Sequence, residues 1–250
     1  MRKTLPIRAI KPVNKALTQQ SHFFSTLPET LVQEMSQHVK AEQWDKKTYI
    51  DHKTLRYRFF ILLEGRIEMM RSNPDTGRSI TLDLLHPGDF FDVITLLDGK
   101  VHKVFFSAID NLKVISFPIE KMRNWIWTYP ELNQKFMPYL AQKMREQENK
   151  ATDLALYDTT TRLSRIILQN LDKLKNYTGI AQMGHQQHLI TGLSDEVLAR
   201  LIGSVRQVTN QQLQHWKKKG IIDKKRNQIM INDLQAIMDE ADYTASIYEG

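Results

Sequence analysis

Between Leu193 and Ile231 the chain reads as two short helices joined at Gly203 and followed by a basic hairpin, an order that leaves few folds open. Ser194 is a good N-cap, because its hydroxyl can accept from an otherwise unpaired backbone amide, and Leu198, Ala199 and Leu201 of the helix it opens point inward. Ala199 is small where two helices would cross, and Gly203 can take the positive φ that a tight reversal needs. A second helix is expected from about Val205 to Lys218. Helical spacing turns Val205, Val208, Thr209, Leu213 and Trp216 toward a core, leaving Arg206, Gln207, Asn210, Gln211 and Gln214 on the opposite face.

That outward face carries one guanidinium and four carboxamides, groups suited to paired contacts with guanine and adenine edges in a major groove. Lys217, Lys218 and Lys219 follow, then Gly220. The segments Ile221 to Asp223 and Gln228 to Asn232, joined by Lys224-Lys225-Arg226-Asn227, form a wing with cations at its tip that would sit on phosphates. The candidate DNA contacts are therefore Ser204, Arg206, Gln207, Asn210, Gln211, Gln214, Lys217, Lys218, Lys224, Lys225 and Arg226. A solvated amphipathic helix with a lysine-rich end is the plainer reading, and the Lys run alone fits it equally well. The order of capped helix, small residue, glycine turn, amide-rich helix and basic hairpin favours DNA.

At 250 residues and a formal net charge of +7, the chain is long enough for two domains and favours a polyanionic partner. No apolar run approaches membrane-spanning length, and the basic stretch Met1 to Gln20, with Pro6 and Pro12, lacks the apolar segment of a signal peptide. A cytoplasmic location without membrane contact is expected. The chain has no cysteine, which excludes disulfides, thiol switches and Cys-ligated iron-sulfur clusters.

From Trp44 to Ile115 the pattern is strand-like. Arg58 to Met70 is rich in aliphatic and aromatic residues, interrupted at Gly65. After the turn cluster Asn73-Pro74-Asp75-Thr76-Gly77, Ile80, Leu82 and Leu84 alternate with polar neighbours, so the pair reads as a long hairpin. His86-Pro87-Gly88-Asp89 closes it, Asp98-Gly99 marks another turn, and Val101 to Ile109 with Leu112 to Phe117 supplies further strands. Many short strands suggest a barrel or roll. Beyond Pro118 the pattern becomes helical, and Pro138 either kinks a helix or starts a new one. Leu140, Met144, Gln147, Ala151 and Leu154 then recur at spacings of three and four, a narrow seam that could pair with another helix or pack on its own domain.

These residues carry a resemblance, over nearly the whole chain, to the cyclic-AMP receptor protein and FNR family of bacterial transcription regulators. Phe60-Ile61-Leu62-Leu63-Glu64-Gly65-Arg66-Ile67 is similar to the family's glycine-containing β-roll strand. His86-Pro87-Gly88-Asp89-Phe90-Phe91 resembles the approach to its phosphate-binding cassette, and Leu96-Leu97-Asp98-Gly99 the loop after it. Leu154-Ala155-Leu156-Tyr157-Asp158 with Arg162-Leu163 resembles the junction between dimer helix and DNA-binding domain; Gly203, Arg206 and Leu213 align with the turn and recognition helix. The resemblance implies an α+β chain with an N-terminal cupin-like, cyclic-nucleotide-binding-like β-roll, a long dimerisation helix and a C-terminal winged helix-turn-helix. The expected divisions are an N-terminal arm at 1–22, a sensor roll at 23–128, the dimer helix at 129–157 and the DNA-binding domain at 158–250. It also implies a homodimer through 138–156, inverted-repeat double-stranded DNA with half-sites about one helical turn apart, and RNA polymerase as a partner.

The chain departs from the nucleotide-binding members of the family at their clamp. Those members carry a Glu for the ribose hydroxyl and an Arg-Ser or Arg-Thr pair for the cyclic phosphate, where this chain has Asp92-Val93 and His102-Lys103. Valine cannot accept from a hydroxyl, and an imidazole lacks the guanidinium fork. Gln147 and Glu148 stand roughly where the dimer helix of such members presents small hydroxyl residues. The residual effector pocket is therefore Gly88, Asp89, Phe91, Val93, His102, Lys103 and Gln147, with weak or absent cyclic-AMP binding expected. In the recognition helix, Arg206 keeps a guanine reader, while Gln207 and Gln211 replace a Glu and a second Arg and shift the half-site toward adenine. Thr209 and Gln212 fall where such units bury apolar side chains, so the helix is either rotated slightly or loosely packed.

The expectation is a regulator, not an enzyme, with no cofactor. A haem-responsive or other small-ligand regulator is an alternative, since His22, His38, His52, His86 and His102 lie in or near the roll. His185 and His188 have three-residue spacing, but Gly184 suggests a loop and no third ligand is evident, so they are read as structural. A cupin-like enzyme with an accessory basic domain is a further alternative, opposed by the lack of a close His-x-His pair with a following Glu. A pure protein-binding module would leave the amide-rich helix and basic wing unexplained.

Overall fold

The computed structural model describes residues 2–4, 27–178 and 188–241, with backbone alone at 2–4, 172–178 and 188. Most of the expected N-terminal arm, together with His22, Gly184 and His185, lies outside the described residues. Contacts divide the chain into two units, 1–77 with 82–146, and 78–81 with 147–250.

The first unit is built on two four-stranded sheets. One has β1 (Arg2–Thr4), β2 (Lys40–Trp44), β8 (Leu112–Pro118) and β4 (Arg58–Glu64) in that order; the other has β3 (Tyr49–Asp51), β7 (Phe105–Ala108), β5 (Ile67–Ser72) and β6 (Ser79–Leu85). The unbroken apolar run of β4 has a direct cause. Phe59, Ile61 and Leu63 enter one core with the helices Glu29–His38 and Ile119–Thr128, while Phe60 and Leu62 enter a second core with Trp44, Phe91 and Phe106. A strand buried on both faces gains from apolar residues at every position, so alternation disappears.

The first arm of the long hairpin read across Arg58 to Leu85 is two strands rather than one. Gly65 breaks it at φ +85°, sending β4 to pair with β8 and β5 to the other sheet, beside β6. A Cβ on Gly65 would stand 2.5 Å from the Asn111 carbonyl oxygen, so this corner requires both the positive φ and the missing side chain. The β5–β6 turn is held by Asn73, whose Oδ1 accepts from the amides of Asp75 (2.8 Å) and Thr76 (3.2 Å). The strand expected at Val101 to Ile109 is shorter, since only Phe105–Ala108 enters the ladder.

The helix Pro130–Leu156 runs unbroken through Pro138, which therefore neither ends it nor starts a new one; it is Pro130 that occupies the first helical position. Leu132 and Phe136 are buried against the roll, with Leu140 packed beside them, whereas Met137 and Met144 are exposed. The helix Ile119–Thr128 is tied to Glu29–His38 by Glu34, whose carboxylate accepts from Trp125 Nε1 at 2.9 Å and the Tyr129 hydroxyl at 3.0 Å. The Trp125 hydrogen bond, ahead of the one from Tyr129, holds this carboxyl below its ordinary value against the opposing effect of burial.

In the second unit Arg165, on helix Thr159–Thr178, fixes the turn from the long helix. Its guanidinium lies 3.8 Å from the Tyr157 ring centroid, donates to Asp153 at 2.6 Å and reaches the Ala241 carbonyl at 2.9 Å. The remaining elements are β9 (His188–Thr191), helix Asp195–Leu201, helix Arg206–Lys218, β10 (Ile222–Lys225), β11 (Gln228–Ile231) and helix Leu234–Glu240. His188 belongs to a strand, not a loop, because β9 pairs along the wing hairpin and sets His188 opposite Ile231.

Candidate nucleic-acid interface

Ser194 caps its helix as its side chain predicts, accepting from the Val197 amide at 3.2 Å, with Asp195 and Glu196 in the favourable first turn. Val197, Leu198, Ala199 and Leu201 are buried, and Gly203 reverses the chain at φ +64°. The Ser204 amide donates to the Ala199 carbonyl at 2.8 Å, closing the turn before Arg206–Lys218 begins.

This second helix differs from its expected orientation by part of a turn. Thr209, Leu213 and Trp216 are buried, but Val205 and Val208 are exposed and do not join the core. Thr209 is accommodated without loose packing, because its hydroxyl returns to the Val205 carbonyl at 3.2 Å, so a fully buried hydroxyl keeps a partner. Gln212 is half-buried. The side turned to solvent presents Arg206, Gln207, Gln211, Gln214, Lys217 and Lys218, while Ser204 and Asn210 are half-buried. Lys225 and Arg226, exposed beside Asn227 at φ 56°, form the tip of the β10–β11 hairpin.

Lys224 does not stand at that tip. Its ammonium bonds Asp195 Oδ2 at 2.6 Å and Asn210 Oδ1 at 3.1 Å, with the side chain only 12% exposed, so the phosphate contact read from the basic run is a correction. Alternation along a strand explains it: Lys225 faces solvent and its neighbour faces inward. Asp195 is thus a residue that the sequence reading missed at this surface, and its only signal was an acidic side chain one position after the N-cap.

The residues expected to line an effector pocket are engaged in contacts of their own. Phe91 is a core residue, stacked on Phe106 at 5.3 Å and edge-on to Trp44 at 5.9 Å. Gly88 donates its amide to the Leu62 carbonyl at 2.8 Å, and Asp89 accepts from the His86 amide at the same distance, docking their loop on β4. Asp89 also meets Lys143 at 2.9 Å, and Asp83 meets it at 3.1 Å. Burial alone would push the Lys143 ammonium down, but the Asp83 and Asp89 carboxylates outweigh it and hold this amine above its ordinary range. Burial conversely raises the Asp89 carboxyl, and likewise the Tyr139 phenol, whose oxygen accepts from the Phe90 amide at 3.0 Å. Lys143 and Asp83 were missed from sequence. Their signal was a cation on the same helical stripe as Leu132, Phe136 and Tyr139, where a charge requires a partner.

The cassette helix Val93–Asp98 starts from Asp92 in the left-handed conformation, at φ 46°. Asp92 Oδ1 accepts from the Thr95 amide at 3.4 Å and lies 2.7 Å from His102 Nδ1, so the imidazole is committed to a carboxylate with 3% side-chain exposure. Val93 packs on the helical core, Lys103 is exposed, and Gln147 is an exposed residue of the second unit. Arg123 caps the cassette helix by donating to the Leu96 and Thr95 carbonyls at 2.6 and 2.7 Å. Among the described residues no group of three metal-ligating side chains occurs, and no helix is long and apolar enough to cross a membrane.

Comparison with known proteins bears on both units. The family model described as cyclic nucleotide-binding domain matches residues 44–129, and that described as Crp-like helix-turn-helix domain matches residues 161–240. A CRP-like cAMP-activated global transcriptional regulator of Mycobacterium tuberculosis is 24% identical over 180 residues, covering 72% of this chain and 78% of that protein. A global nitrogen regulator of Synechocystis is 24% identical over 182 residues, with the same 72% and 78% coverage. Among solved structures, a CRP-family transcriptional regulator from Thermus thermophilus superposes with a TM-score of 0.66 at 23% identity, covering 81% of this chain and 97% of that one. That likeness supports the fold: a cyclic-nucleotide-binding-type roll, a long helix and a helix-turn-helix domain.

Proposed function

The chain belongs to the Crp/Fnr family of transcription regulators, which are not enzymes, and from that premise we propose a homodimer that reads inverted-repeat DNA without cyclic AMP. The observation that carries this reading is the solvent face of Arg206–Lys218. Arg206, Gln207, Gln211 and Gln214 stand exposed on a helix anchored from behind by Thr209, Leu213 and Trp216. A guanidinium can pair with guanine O6 and N7, and a carboxamide with adenine N6 and N7. Lys217, Lys218, Lys225 and Arg226 flank that row as point charges for phosphates, with Ser204 at the helix start.

Dimerisation through 138–156 is supported by the exposure of Met144, which is 73% accessible on the long helix, with Gln147 and Ala151 also exposed in the same seam. Leu140 and Leu154 are only partly exposed, so the pairing stripe is displaced from the one spacing alone suggested. The expected divisions at 1–22, 23–128, 129–157 and 158–250 stand as part of this proposal, as does RNA polymerase as partner.

The argument against cyclic AMP rests on charge and shape. Asp92 and His102 satisfy each other, and Val93 offers no acceptor for a ribose hydroxyl. A carboxylate beside a cyclic phosphate is unfavourable, and extracting His102 would leave Asp92 buried without it. Isothermal calorimetry should detect no cyclic-AMP binding at micromolar concentrations; micromolar affinity would refute this half of the proposal. For the DNA half, fluorescence anisotropy across a salt series should show affinity falling steeply with salt and an Arg206→Ala variant losing discrimination among sequences. Equal affinity for every duplex would contradict it.

A further inference from the structure

Asn210 and Lys224 were both read from the sequence as DNA contacts, yet the structure joins them to each other. Lys224 Nζ lies 3.1 Å from Asn210 Oδ1 and 2.6 Å from Asp195 Oδ2, linking the wing to both helices of the turn. An ammonium has hydrogens to give and no lone pair, so the amide must turn its oxygen to Lys224 and its nitrogen away. No described residue accepts from Asn210 Nδ2.

We propose that Lys224 sets the base preference of Asn210, converting a side chain suited to adenine into a one-sided donor for guanine O6. Adenine recognition by a carboxamide uses both of its ends at once, the oxygen accepting from N6 and the nitrogen donating to N7. With its oxygen engaged by a charged donor that is 12% exposed, the Asn210 amide would have to rotate off Lys224 to present both ends. Guanine O6 needs only a donor, which the present orientation supplies, whereas adenine sets its own N6 donor at that place; N7 accepts on both purines and does not discriminate. Lys224 is then a positioning residue that touches no nucleotide, held in place by Asp195. The assignment rests on the proposed DNA-reading function.

The test is selection of binding sites from a randomised duplex pool with the full chain. Asn210→Ala identifies the base pair read by residue 210, as the position whose preference it abolishes. At that pair the wild type should favour G·C over A·T. Lys224→Met, checked for folding by its thermal melt, should raise A·T over G·C there by about threefold to tenfold, the range one neutral hydrogen bond provides. Asn210→Asp, which keeps an acceptor for Lys224 and removes the donor, should lose the guanine preference independently of Lys224. A·T preferred by the wild type, no position responding to Asn210→Ala, or an unchanged preference in Lys224→Met overturns the inference while leaving DNA binding intact. A wild type that enriches no sequence overturns the DNA-reading function and this inference together.

Discussion

Replacing Gly65 with alanine should destabilise the roll far more than the same change at Gly77, and the difference follows from two independent terms. Both glycines have positive φ, +85° and +66°, so each substitution carries the left-handed penalty of roughly 1–2 kcal/mol. At Gly77 an added Cβ meets nothing within 4 Å, and reduced freedom of the unfolded chain offsets part of the penalty. At Gly65 the same atom would lie 2.5 Å from Asn111 O and 2.7 Å from Leu112 Cδ2. The leucine tip can rotate, but the Asn111 carbonyl is backbone at the mouth of β8. Overpacking of this kind costs about 1–3 kcal/mol, so Gly65→Ala should cost about 3 kcal/mol and Gly77→Ala about 1 kcal/mol. Urea unfolding followed by tryptophan emission in a Trp216→Phe background restricts the signal to Trp44, Trp125 and Trp127, all in the first unit. Equal costs at the two positions would refute the close-approach argument, since torsional strain alone would then account for both.

Removing the ammonium by Lys143→Met leaves Asp83 and Asp89 facing each other without it, and should cost about 3–5 kcal/mol in the same unfolding assay. Because the folded protein holds the Lys143 amine above its ordinary value of 10.5, its contribution persists below that pH and fades as alkalinity rises beyond it. For Glu34 the sign is opposite: a carboxyl held below its ordinary value of 4.5 stabilises the fold above that pH and loses the effect as pH falls further. Glu34→Gln should therefore differ most from wild type near neutrality and converge with it in acid, read by thermal melts across pH. Met144→Glu places a carboxylate on the exposed stripe of the long helix and should shift sedimentation from dimer to monomer at micromolar concentration.

What could be read from the sequence was local chemistry on a regular element. Ser194 announced a cap, Asn73 to Gly77 a turn, and Leu213 and Trp216 a buried face, because each signal spans only a few residues. What escaped depended on partners far along the chain. Val205 and Val208 looked buried by periodicity, yet the helix is oriented by Thr209, Leu213 and Trp216, leaving the valines outside. The continuous run at Arg58 to Met70 could not disclose that Gly65 sends its halves into different sheets. Lys224 looked like every other cation of its run, and only the fold brings it to Asp195, 29 positions away. The Asp92–His102 contact was equally invisible, although both residues fall where the nucleotide clamp changes.

Recognition of DNA sequence through Arg206–Lys218 without cyclic AMP is the core of the proposal. It is tested most directly by the affinity of the full chain for its selected inverted repeat and for a scrambled duplex, measured by anisotropy at fixed salt with and without the nucleotide. Roughly a thousandfold or greater preference for the repeat, unchanged by cyclic AMP, is expected. Equal affinity for the two duplexes, or a preference that arises only when cyclic AMP is added, would contradict it.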